Sequence, residues 1–255
     1  MTLATIAALV GSSFAAGVMN AIAGGGTIVT FPTLVFLGMP SIQANATSTV
    51  ALLPGLASSM AGYRKEVATH REWLKTLFLP SLIGGGIGSV LLLLTPENTF
   101  KHLAPFLILF ATSLFLLQMI LAKRKGPDHE EHVRTPARWT VATLFQLGVA
   151  IYGGYFGAGI GILMLVNLGF LGLTDIHAMN GLKNFFGMTI NVVAAGYFIF
   201  RGAVDWPVAL VMVGGAALGG WAGANMARYI GREKARVGVV VIGFLVTGIL
   251  MFQNR

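Results

Sequence analysis

Apolar blocks of about 20 residues recur along the whole chain, separated by short polar loops. A helix needs ~20 such residues to cross a ~30 Å hydrocarbon core, so each block predicts a membrane-spanning helix. The long blocks are Leu3–Ala23, Ile42–Gly62, Trp73–Leu94 and Leu103–Ala122, then Trp139–Phe156, Ala178–Phe200, Trp206–Met226 and Val237–Phe252. Gly24-Gly25-Gly26 breaks the first block, and a short apolar piece, Thr27–Leu37, follows it. Gly157-Ala158-Gly159 breaks the fifth in the same way, ahead of Ile160–Leu171. The short pieces span only ~18 Å at 1.5 Å per residue, which suits re-entrant helices.

The polar stretch 123–138 divides the pattern, giving a first membrane repeat at 1–122, a linker, and a second repeat at 139–255. Shifting residues 15–63 by 134 positions finds 12 identities in 49 pairs without a gap. They include Gly25 with Gly159, Phe36-Leu37-Gly38 with Phe170-Leu171-Gly172, and Ala61-Gly62-Tyr63 with Ala195-Gly196-Tyr197. The recurring order of long helix, glycine break and short helix argues for a true repeat rather than shared composition.

Composition sharpens this to a membrane protein. Hydrophobic residues make up 55% of the 255, charged residues only 10%, and mean hydropathy is +0.78; soluble domains carry about 25% charged residues. Transmembrane barrels would show short alternating segments, and these are absent. Many of the 34 glycines lie inside apolar blocks, where small residues let helices approach closely in lipid. Cysteine is absent, so no disulfide or thiol chemistry is expected. Met1-Thr2-Leu3-Ala4 has no basic n-region, so a cleaved signal peptide is not expected.

The net charge of +8 reflects topology rather than a nucleic-acid partner. Basic residues gather in three loops: Arg64 to Lys75, Lys123 to Arg138, and Arg228 to Arg236. Cytoplasmic loops carry the excess of Lys and Arg. All three loops fall inside only if each broken helix is a hairpin-like pair. The split is then 13 inside and three outside (Lys101, Arg201, Arg255), with Lys183 in the membrane. Five membrane elements per half force the halves into opposite orientation, and inverted repeats with broken helices near the midplane are a recurrent transporter design. The expectation is an all-α polytopic bundle of eight long and two short helices, multi-pass in the cell membrane, with the linker in the cytoplasm.

Candidate chemistry centres on the breaks. A break in lipid frees backbone amides, each costing several kcal/mol unless protein or a water-filled cavity satisfies it. The amides that open a helix also carry partial positive charge, which suits an anion. This singles out Gly25, Gly26 and Gly159, with Thr27 as an added hydroxyl donor and Asn20 as a brace for the first break. Thr47, Ser48 and Thr49 open the next long block, although Thr and Ser in membranes also bond back to their own helix. Lys183 lies well inside an apolar block, where a charge costs about 2.5–3.5 kcal/mol on insertion scales and marks a functional site by default. Asn180 and Asn184 lie beside it, and the 134-residue shift pairs Lys183 with Thr49. Snorkelling to the interface is the structural alternative for Lys183. His177, next to Asp175, reads as a solvated interfacial histidine. No metalloprotease, nucleophile-elbow or phosphate-loop motif occurs, so neither an enzyme nor a cofactor is expected.

Asn20-Ala21-Ile22-Ala23-Gly24-Gly25-Gly26-Thr27, Phe31-Pro32 and Gln43-Ala44-Asn45-Ala46-Thr47-Ser48 resemble the first repeat of the TauE/SafE sulfite exporter family. Gly154-Tyr155-Phe156-Gly157-Ala158-Gly159, Ile176-His177-Ala178-Met179-Asn180 and Lys183-Asn184 resemble its second. The resemblance implies a permease for sulfite, a sulfonate, thiosulfate or a related small organic anion, with a coupling proton as a further partner. A passive anion channel and a non-transport membrane subunit or assembly factor are the competing readings. No sequence feature specifies an oligomeric state.

Overall fold

Two glycine breaks set the course of the chain. The computed structural model describes residues 1–22, 24–61, 64–124, 135–230 and 232–253, which form helix and no strand. The first half gives α1 (Leu3–Ile22), α2 (Thr27–Phe36), α3 (Ser41–Ala61), α4 (Arg64–Thr69), α5 (Arg71–Leu94) and α6 (Glu97–Arg124). The second gives α7 (Pro136–Tyr155), α8 (Ile160–Phe170), α9 (Ile176–Phe200), α10 (Trp206–Ile230) and α11 (Arg232–Gln253). Eight helices run from 20 to 28 residues, while α2 and α8 have 10 and 11. The short α4 lies where a loop is expected, and α6 begins six residues before the expected Leu103. Glu97, the first residue of α6, ties that helix to α3, its carboxylate accepting the amides of Ser41 and Ile42. Gly62, Tyr63 and linker residues 125–134 lie outside the described residues.

Among the described residues, four helices are long and apolar enough to cross a membrane by length and composition: Leu3–Ala21, Arg71–Leu94, Glu97–Ile120 and Trp206–Gly223. The long helices α3 and α9 carry the polar clusters instead, and so fall outside that set.

Each broken helix folds back on itself. Thr5 and Leu9 of α1 line one cavity with Leu34 of α2 and Leu37 to Pro40, so α2 ends where α1 begins. In the second half, Asn167 Nδ2 of α8 donates to the Ala142 carbonyl at 3.0 Å and to Gln146 Oε1 at 3.2 Å, both on α7. The Arg138 guanidinium also sits 5.3 Å over the Phe170 ring, closing the base of that hairpin.

Ring and hydroxyl contacts orient the hairpins. Trp73 and Trp139, at the starts of α5 and α7, lie 5.2 Å apart. At the far ends of the same helices, Thr95 Oγ1 meets the Tyr155 hydroxyl at 3.2 Å. The bundle therefore has a Trp73 end and a Glu97 end, and α5 runs parallel to α7 between them. Asp205, ahead of α10, donates its amide to Thr47 Oγ1 at 3.0 Å and lines the cavity that holds Thr5. Thus α1, α3, α6 and α10 start at the Glu97 end, and α7 starts at the Trp73 end.

The halves exchange helices. From the second half, α10 packs on α1 and α3; from the first, α5 packs on α7 and α9. Glycine makes both contacts possible. A Cβ at Gly219 would overlap the Phe14 carbonyl, and one at Gly88 the Ile151 carbonyl. Backbone-to-backbone packing of this kind strengthens dispersion contacts in lipid, where no hydrophobic drive holds helices together. One buried core joins α1, α2, α3, α6, α10 and α11 with the end of α9 and the second break; another joins α5, α7, α8 and α9.

Candidate functional site

Both breaks are built by glycines that no other residue replaces cheaply. Gly24 and Gly25 have φ of 84° and 90°, and Gly157 and Gly159 have 81° and 77°. Left-handed backbone of this kind costs a residue with a Cβ roughly 1–2 kcal/mol. A Cβ at Gly25 would also come within 2.8 Å of the Phe115 ring, and one at Gly159 within 3.2 Å of Ala111.

Different side chains hold the two breaks. At the first, Asn20 Oδ1 accepts the Gly26 amide at 2.7 Å. At the second, the Tyr152 hydroxyl donates to the Ala158 carbonyl at 2.8 Å, and the Tyr152 carbonyl accepts the Phe156 and Gly157 amides. Neither α2 nor α8 has a side chain capping its first turn. Their opening amides give each break a partial positive end.

The breaks meet at one central cavity. Asn20, Gly24, Gly25 and Thr27 line it from the first break, and Gly157, Ile160 and Gly161 from the second. Thr49, Leu52 and Leu56 come from α3, Met164 from α8, and Lys183, Asn184, Gly187 and Asn191 from α9. Thr49 lies eight residues into α3 and Lys183 seven into α9, about 12 and 10 Å from opposite ends of the bundle. Lys183 is the charged member of this lining and is 6% exposed. Its stem runs over Gly161, where an added Cβ would lie 3.1 Å from Lys183 Cδ. A glycine at that position lets the buried lysine reach the start of α8.

Six of the expected residues, Asn20, Gly25, Thr27, Thr49, Lys183 and Asn184, come together at this cavity. The other five lie apart from it. Gly26 spends its amide on Asn20. Thr47 accepts from the Asp205 amide. Ser48 meets Thr30 Oγ1 at 2.6 Å and ties α3 to α2. Asn180 Nδ2 bonds back to the Ile176 carbonyl, and Gly159 packs on Ala111. Thr49 reaches the cavity while its hydroxyl bonds back to the Asn45 carbonyl at 2.8 Å. His177 is exposed, and its amide donates to Asp175 Oδ1, the cap of α9.

Sequence reasoning passed over Gly157, Gly161, Gly187 and Asn191. The last two sit one and two turns beyond Lys183, and that four-residue spacing was the available signal.

The chain matches the family model described as sulfite exporter TauE/SafE over residues 9–251. It is similar to a probable membrane transporter protein, ORF9, of a Sinorhizobium species, with 30% identity over 234 residues covering 91% of this chain and 86% of that one. A probable membrane transporter protein of Haemophilus influenzae is 30% identical over 247 residues, covering 94% and 92%. The probable membrane transporter protein YfcA of Escherichia coli is 25% identical over 243 residues, covering 94% and 87%. With apolar helices that satisfy their own backbone and a match along nearly its whole length, the chain is a multi-pass membrane protein and belongs to the sulfite exporter TauE/SafE family of membrane transporters.

Proposed function

We propose that the protein is a secondary permease, not an enzyme, and that it carries a small anion through the central cavity. The observation that carries this reading is the convergence of two uncapped helix starts and the buried Lys183 on one mid-bundle space. Helix-start amides and an ammonium group attract negative charge without needing a metal or cofactor. Sulfite, a sulfonate, thiosulfate or a related organic anion fits that chemistry and the family.

The two halves act as inverted repeats in this reading. Its support is that α1 and α7, the matching helices, start at opposite ends. The Trp73 end faces the cytoplasm, because the 13 Lys and Arg of the three basic loops belong there. Residues 1–122 and 139–255 then form the two membrane repeats of a cell-membrane protein, joined by a cytoplasmic linker. A proton is the coupling ion in this reading, because no carboxylate among the described lining residues could hold a metal cation.

Purified protein in detergent, screened by thermal shift against sulfite, thiosulfate, sulfoacetate, taurine and carboxylates, tests the reading. Stabilisation that saturates with one anion class is expected, as is uphill flux of that anion in proteoliposomes under a proton gradient. No stabilisation by any anion would overturn the permease reading, and flux only down the anion's own gradient would make the protein a channel.

A further inference from the structure

Lys183, Gly187 and Asn191 follow one another at four-residue intervals on the face of α9 that lines the central cavity. Successive members of such a series lie ~6 Å apart along the helix axis. Gly187 is buried, yet a Cβ built on it meets no atom within 4 Å. Other buried glycines have a packing cause. A Cβ at Gly85 would lie 3.1 Å from the Ile190 backbone, and one at Gly55 would lie 2.8 Å from the Ala216 carbonyl. Among the glycines whose surroundings are described, Gly187 is the one that is buried and still faces open space.

Neither a turn nor a close helix approach accounts for it. Gly187 lies twelfth in a 25-residue helix, far from either end. Glycine is less favourable than alanine in a helix interior, and an alanine methyl has room here. What the missing side chain does provide is volume, one turn beyond the ammonium stem of Lys183. Asn191 closes the series; its Nδ2 donates to the Gly187 carbonyl at 2.7 Å, which leaves Oδ1 as the acceptor it can offer.

We propose that Gly187 determines the size of the anion the cavity accepts, by leaving room for the body of an organic anion whose charged group lies at Lys183. The inference rests on the anion reading of the cavity and narrows it. The substrate extends past its charged group by several heavy atoms, toward Asn191, and is not a compact inorganic oxyanion. A methyl at position 187 occupies the space that this extension needs and leaves the space at Lys183 untouched.

The test is a ladder of anions: sulfite, methanesulfonate, ethanesulfonate and propanesulfonate, with dissociation constants measured on the full-length protein and on Gly187→Ala and Gly187→Val. The wild type should bind the longer sulfonates at least as well as sulfite. Gly187→Ala should weaken the longest by about tenfold or more, the discrimination one methylene brings in a shaped pocket, while sulfite changes less than about twofold. Gly187→Val should extend the loss to shorter members. An equal change for every anion, or none, would overturn the proposal while leaving anion binding intact. A wild type that responds to no anion would instead sink the anion reading, and this inference with it. A second measurement does not depend on how the variants fold around the ligand. Because the chain has no cysteine, the thiol of Gly187→Cys can be probed in the assembled protein with a small methanethiosulfonate reagent. It should react, and propanesulfonate should protect it better than sulfite; an unreactive thiol would mean the space is not open and would overturn the proposal.

Discussion

Asn45 donates through Nδ2 to the Tyr155 carbonyl at 3.0 Å, joining α3 of the first half to the last residue of α7, the helix before the second break. The next residue, Phe156, packs 5.4 Å from Phe31 and 6.2 Å from Phe100, and all three rings are buried. A buried aromatic cluster thus joins α2, α6 and the second break. Asn45→Ala leaves a part-buried carbonyl without its donor, at a cost of about 1–2 kcal/mol. Thermal unfolding in detergent should show Tm lower by roughly 2–8 °C. An unchanged Tm would mean that the bond contributes nothing to holding the halves together.

Lys183 supplies the charge in the proposed site. Lys183→Gln and Lys183→Ala should each weaken anion affinity by about 10- to 150-fold, the worth of a charge-assisted hydrogen bond. Lys183→Arg should not restore it, because a planar fork replaces a compact ammonium over Gly161. Equilibrium binding in detergent, with expression checked alongside, reads this out. Unchanged affinity in Lys183→Gln would remove the residue from the site and favour snorkelling.

Gly24 and Gly25 separate backbone strain from packing. Both have positive φ, but a Cβ at Gly24 meets nothing within 4 Å, whereas one at Gly25 runs into the Phe115 ring. Gly24→Ala should therefore cost about 1–2 kcal/mol from backbone strain alone. Gly25→Ala should cost about 1–3 kcal/mol more from overpacking. Pairing it with Phe115→Leu should recover part of the second loss. Chemical unfolding of the four proteins decides the order, and equal losses at the two glycines would contradict the placement of Phe115.

Orientation can be read in cells. Asn98→Cys, at the Glu97 end, should react with an impermeant thiol reagent in intact cells. Thr135→Cys, at the Trp73 end, should react only after the membrane is opened. Both positions are exposed. The reverse pattern would turn the protein over in the membrane and leave the basic loops outside.

Much of this arrangement was legible because unpaired backbone amides and a buried charge are expensive in lipid. Gly24 to Gly26 alone could have served close packing; the matching cluster at Gly157 to Gly159 made both read as breaks, and hairpins at both follow from the basic loops. The exchange of α5 and α10 between the halves left no comparable mark, since a glycine that packs on a neighbour looks the same whichever helix that neighbour is. Within the site, Lys183 and Asn20 stood out as polar groups in apolar surroundings. Gly187 did not, because a void has no letter in a sequence. Thr47, Ser48 and Thr49 were taken together, but adjacent helical positions point about 100° apart. One faces α10, one faces α2, and only Thr49 meets the cavity.

The helix exchange also has a consequence for biogenesis. When α1 leaves the ribosome, the surface it will bury belongs to α10, which begins about 200 residues later. Until then Phe14 and the backbone near Val18 have only lipid or the insertion machinery to contact, and α5 waits likewise for α7. Non-local contacts of this kind slow folding. The first half therefore enters the bilayer as a set of individually stable helices without a finished core, and α10, from late in the second half, is the helix that locks the first into place.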